Sequence, residues 1–137
     1  MVVVDANLLV ALVSGDPRGN KVLRHFTDWL TQNVEIHAPH LAQYETANAL
    51  TRLIVGGAFP ADKIAEAWNN ISILPITYHE LRNAARVVEI ALALNRQNAY
   101  DAAYIALTEE LSAELWTLDG PLYRNAHGLG FGVNLIA

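Results

Sequence analysis

The sequence contains no cysteine. Disulfides and thiolate zinc centres are therefore excluded, and the composition suits a reducing cytoplasm, where the protein is expected to reside. Lysine is scarce, with Lys21 and Lys63 the only two. A phospho-acceptor signalling domain would want a lysine near its last strands, and both lysines come too early for that. Positive charge is in deficit, with nine Lys and Arg against fourteen Asp and Glu, a net charge of −5. That balance lacks the general basic surface of many nucleic-acid binders. Four acids withheld as metal ligands would leave about −1 for the rest of the surface, so the seven arginines could still cluster. No long apolar run is present. The N-terminal MVVVDANLLVALV has no basic leader, is interrupted by Asp5 and is too short to span a bilayer. The expectation is a soluble, unprocessed chain with no membrane partner. Without linkers, repeats or low-complexity segments, residues 1–137 are expected to form a single domain, long enough to bury a real core.

What is abundant is carbon. Hydrophobic residues make up 53% of the chain and the mean hydropathy is +0.19. Either the core is well supplied or a surface patch meets a partner or second copy. The pattern alternates strands and helices. Val2–Val4, 34–38, 72–76, Glu114–Thr117 and 132–135 read as strands from β-branched or apolar runs. Ala6–Val13, 20–32, Leu41–Val55, 60–71, 78–94 and the segment from Tyr100 onward carry apolar residues at helical spacing, and Pro121 opens a last short helix to His127. Pro39 is read as the breaker after the second strand, and Thr77 as the cap of the helix over 78–94. Such alternation predicts an α/β fold with a parallel sheet covered on both faces. Ligands of open sheets bind beyond the carboxyl ends of the strands, where strand order reverses.

Residues 100–122, YDAAYIALTEELSAELWTLDGPL, organise the functional reading. They give a helix, a turn and an apolar strand, with Asp101 at the helix start and Asp119 just past the strand. Asp5 likewise follows the first strand. Glu45 is placed in the first turn or so of its helix. If the first and fourth strands are neighbours, these four carboxylates converge at one sheet edge. Converging carboxylates take up protons or hold a cation. Oxygen ligands suit Mg²⁺ or Mn²⁺, which can support hydrolysis of a phosphodiester. The bland alternative for each acid is a helix cap or a solvated surface position.

At these residues the chain resembles a known family. VVVDANLLV, YETANAL, YDAAYIAL and LWTLDGPL resemble the four acidic motifs of a PIN domain, and IALTEELSAELWTLD resembles the VapC group of toxin ribonucleases of type II toxin–antitoxin systems. The resemblance runs from Val2 to about Leu122. It implies a Rossmann-like three-layer sandwich with about five parallel strands. It implies Mg²⁺- or Mn²⁺-dependent endonucleolytic cleavage of RNA, with Asp5, Glu45, Asp101 and Asp119 as catalytic metal ligands. It also implies a homodimer and a cognate VapB-like antitoxin. Asn7 and Thr117 match small polar positions beside such a site, where they would orient ligands; an ordinary helix cap is the other role open to Asn7. Asn48, one turn after Glu45, could hold that carboxylate or face water.

Other features carry less. His37 and His40 form an H-x-x-H that invites zinc, without the glutamate of a metalloprotease. GLGFG at 128–132 lacks the strand–turn–helix setting of a dinucleotide loop. Arg52, Arg82, Arg86 and Arg96 are candidates for phosphate contacts, or simply solvated helix residues. A different metal-dependent phosphohydrolase, or a non-catalytic relative binding a partner or RNA, would share the fold. Asn7 replaces the second aspartate that strand-end phosphatases use.

Overall fold

The computed structural model describes residues 1–137. Five parallel strands form one sheet: β1 (Val2–Val4), β2 (Ile36–Pro39), β3 (Ile76–His79), β4 (Glu114–Thr117) and β5 (Val133–Leu135). Their order is β3-β2-β1-β4-β5. The chain builds outward from β1 to β3 on one side, then returns to lay β4 and β5 on the other. The reversal falls between β1 and β4, and a crevice opens there at their carboxyl ends.

The helices are α1 (Ala6–Val13), α2 (Gly19–Thr31), α3 (Leu41–Val55), α4 (Ile64–Ser72), α5 (Ala84–Ala93), α6 (Tyr100–Leu111) and α7 (Gly120–Gly128). On one side α1 packs against α2, α3 and α4; on the other α5 packs on α6, which lies across β1, β2 and β4. The result is a three-layer α/β sandwich. Val2, Val3 and Val4 are all buried, as a central strand covered on both faces requires. No helix is long and apolar enough to cross a membrane.

Three expectations need correction. The third strand lies at Ile76–His79, not over 72–76, because α4 runs on through Ser72. It is an edge strand with no fully buried residue, so its apolar alternation is weak, and Pro75 precedes it. The following helix starts at Ala84 rather than 78; the Asn83 side chain caps it by accepting the Arg86 amide at 3.1 Å, so Thr77 has no capping role. Pro39 ends β2 from within. The β1 ladder stops at Val3 opposite His37, and Pro39 pairs only with His79 of β3.

Candidate active site

β1 and β4 set the register of the crevice. Val4 stands opposite Trp116, so Asp5 and Thr117 emerge side by side, and the Asp5 amide donates to the Trp116 carbonyl at 3.0 Å. Asp5 then caps α1. Its Oδ1 accepts from the Asn7 amide at 3.4 Å, and its Oδ2 accepts from the Thr117 hydroxyl at 2.8 Å and Asn7 Nδ2 at 3.2 Å. Asn7 Oδ1 in turn accepts the Leu118 amide at 3.2 Å, and Thr117 Oγ1 accepts the Asp119 amide at 3.0 Å. Asn7 and Thr117 thus stitch the two strand ends together. Asn7 sits inside α1, and the capping role belongs to Asp5. Asp119 caps α7, accepting the Leu122 amide at 3.0 Å.

The other two acids come from helices. Asp101 is the second residue of α6 and accepts no hydrogen bond from the protein. Glu45 lies in the second turn of α3 rather than the first, and its Oε1 accepts the Tyr104 hydroxyl at 2.5 Å. Asn48 does not hold Glu45, as the sequence had allowed, but lines the same cleft. Asp5, Glu45, Asp101 and Asp119 all line one cleft of about 300 Å³, with Asn7, Asn48, Asp16, Arg18 and Arg52 on its walls.

Three of the acids, Asp5, Glu45 and Asp101, are shifted towards their protonated forms. Burial pushes Asp5 up to about 7, with the charges of Glu45 and Asp101 adding and the Thr117 and Asn7 hydrogen bonds opposing. Burial also raises Glu45, helped by Asp101 and opposed by Tyr104 and Arg52. Asp101 is raised by burial and by Asp119, against the pull of Arg96. Protons or a cation would relieve this repulsion. The negatively charged donors are all carboxylates, which fits Mg²⁺ or Mn²⁺ rather than zinc. In this arrangement no three His, Asp or Glu side chains stand close enough together to hold a metal ion, so a cation would have to draw the acids inward. An open cleft suits a small hard cation that keeps several waters.

One residue buried behind the cleft and one on its wall had no role assigned from the sequence. Tyr104 stands three residues after Asp101 in YDAAYIAL, a spacing that places both on neighbouring parts of one helix face, and nothing in the motif marks its hydroxyl. Arg18 is engaged by Asp16 through Nε at 3.1 Å and Nη2 at 2.9 Å, a local pairing that the sequence does not signal. Arg52 forms no ion pair. Among the other arginine candidates, Arg86 is occupied by Glu109 and Glu89, and Arg82 lines a different groove.

His37 and His40 do not form a pair. His37 Nδ1 lies 2.8 Å from His79 Nε2, and His40 stacks on Tyr78. The glycines at 128–132 end α7 and lead into β5, with no helix after them.

A parallel sheet with four acids at its switch point defines an acidic α/β domain, and the chain belongs to the PIN-domain family, whose model matches residues 2–128. Its relatives place it in the VapC group. It is 34% identical over 126 residues to Ribonuclease VapC3 of Pyrobaculum aerophilum, covering 88% of this chain and 90% of that one. It is 30% identical over 122 residues to VapC ribonuclease Mb0985 of Mycobacterium bovis, covering 87% and 86%. Ribonuclease VapC9 of Mycobacterium tuberculosis matches to the same extent. The fold is similar to the crystal structure of PAE2754 from Pyrobaculum aerophilum, with a TM-score of 0.71 over 96% of this chain and 81% of that one, at 22% identity.

Proposed function

We propose that this protein is a divalent-metal-dependent endoribonuclease and the toxin of a VapBC-type toxin–antitoxin module. The observation that carries the reading is the convergence of Asp5, Glu45, Asp101 and Asp119 on one cleft, in a chain whose relatives are named ribonucleases. These four acids would hold the cation. When bound, Mg²⁺ or Mn²⁺ would supply positive charge opposite a phosphodiester and acidify water in the cleft.

The residues of the chain divide the remaining work. Asp101, with no protein hydrogen bond, is free to orient the attacking water and take its proton. Asn7 and Thr117 fix Asp5 so that it does not swing away from its partners. Arg52, unpaired on the cleft wall, can meet a phosphate of the RNA. Membership of the VapC group favours a VapB-like antitoxin and a homodimer in the cytoplasm. Exposed Tyr44, Leu81 and Tyr100 offer apolar surface for such contacts.

The test is cleavage of total cellular RNA by antitoxin-free protein in Mg²⁺, Mn²⁺ or EDTA, beside Asp101→Asn. Discrete fragments that require metal and vanish in the variant are expected. Equal cutting by both proteins, or a folded protein that binds metal and cuts no RNA, would overturn the reading.

A further inference from the structure

Tyr104 is the bulkiest of the fully enclosed side chains, with 1% of its surface exposed. A phenylalanine would fill nearly the same space without burying a hydroxyl, which is costly unless it is hydrogen-bonded. The hydroxyl does not turn to a backbone carbonyl of the core. It donates to Glu45 Oε1. One hydroxyl therefore joins two acid-bearing helices, α3 and α6, the latter one turn beyond Asp101.

Glu45 depends on this contact more than the other hydrogen-bonded acids depend on any one of theirs. Asp5 has Thr117 and two groups of Asn7, and Asp119 has a backbone amide. The Tyr104 hydroxyl is the sole protein donor to Glu45, whose longer side chain has more rotamer freedom to lose. The bond occupies Oε1 and leaves Oε2 without a protein partner. We infer that Tyr104 is the positioning residue of the cleft, its hydroxyl holding Glu45 with one oxygen free for the cation. This rests on the cleft being a divalent-metal site. Groups that orient a metal ligand commonly account for about ten- to hundredfold in affinity.

The test is a Mn²⁺ titration, read by electron paramagnetic resonance, of the full chain, Tyr104→Phe, Glu45→Gln and the double variant. Tyr104→Phe should weaken Mn²⁺ binding about ten- to hundredfold. In the Glu45→Gln background the same change should weaken it no further. Wild-type affinity in Tyr104→Phe, or an equal loss in both backgrounds, would overturn the inference, because the tyrosine would then act through the fold or not at all. A second readout needs no change at position 104. The ¹³Cζ resonance of Tyr104 should shift on Mg²⁺ addition in the wild type and not in Glu45→Gln; a signal blind to Mg²⁺ in the wild type would overturn the inference. Failure of the underlying reading looks different, since a wild type that binds no Mn²⁺ removes both. A wild type that binds and cuts beside an unchanged Tyr104→Phe removes only the role of the tyrosine.

Discussion

Two concavities flank the first turn of α6. On one side lies the acidic cleft of about 300 Å³; on the other, a groove of about 380 Å³ bordered by Pro39, His79, Leu81, Tyr100 and Leu107. Tyr100 faces the groove and its neighbour Asp101 faces the cleft, as a helical step of about 100° allows. The two contain opposite things. The cleft holds Asp5, Glu45 and Asp101, whose pKa values burial and neighbouring acids raise, and the groove holds exposed carbon beside His79, whose pKa burial, His37 and Arg82 lower. Neither arrangement helps the isolated chain to fold. A cluster of strained acids on stiff strand and helix ends costs stability that a cation would return, which ties the cleft to chemistry. The groove is mostly apolar and shares no residue with the cleft, so changes there should leave the cleft untouched.

That contrast can be broken at several points. The largest effect should come from removing an acid: Asp101→Asn is expected to lower metal-dependent RNA cleavage by more than about a hundredfold, at or beyond the upper end of what loss of an orienting partner costs. Single-turnover cleavage of a defined RNA would measure it. Next is the pH dependence of the metal-free protein. The pKa of Asp5 rises from 3.8 unfolded to about 7 folded, so the native state binds the proton more tightly. The resulting stabilisation is complete below the unfolded value and is lost as pH rises through about 7, by at most about 4 kcal/mol. Glu45 and Asp101 shift in the same direction. Thermal melts in EDTA should show stability falling from pH 4 to pH 8, and Asp5→Asn should flatten that fall, gaining relative to wild type at pH 8.

A smaller effect separates the two cleft arginines. Arg52→Ala should weaken substrate binding about tenfold, the scale of one lost charge-assisted hydrogen bond. Arg18→Ala should do less, because Asp16 already occupies that guanidinium. KM values for one RNA substrate would separate them. The smallest effect is expected in the groove. Leu81 is 67% exposed, so Leu81→Glu should change stability by no more than about 0.5 kcal/mol and leave cleavage as it was. A loss of cleavage there would join the two regions that the structure separates.

Much of this architecture was legible in the sequence, for physical reasons that differ by element. Val2–Val4 and Glu114–Thr117 stood out because central parallel strands are short apolar runs, each closed here by an acid within two residues. The four acids could be placed in one cleft because each stands at or near an element end that the strand–helix alternation brings to the same sheet edge. The edge strand Ile76–His79 was misplaced, since an edge is only partly buried and its pattern is diluted. Leu81 and Val88 extended the apparent stripe of α5, yet both remain exposed. Glu45 was assigned to the helix start, whereas it reaches the cleft from the second turn. Tyr104 was hidden because an aromatic residue on an apolar face reads as core, and only three-dimensional packing reveals where its hydroxyl points.

The proposal that most needs testing is that Asp5, Glu45, Asp101 and Asp119 together form a divalent-metal site. Isothermal titration of Mn²⁺ into the wild type and each single amide variant tests it most directly. Each of Asp5→Asn, Glu45→Gln, Asp101→Asn and Asp119→Asn is expected to weaken the same binding event. Binding that none of the four substitutions alters would contradict it.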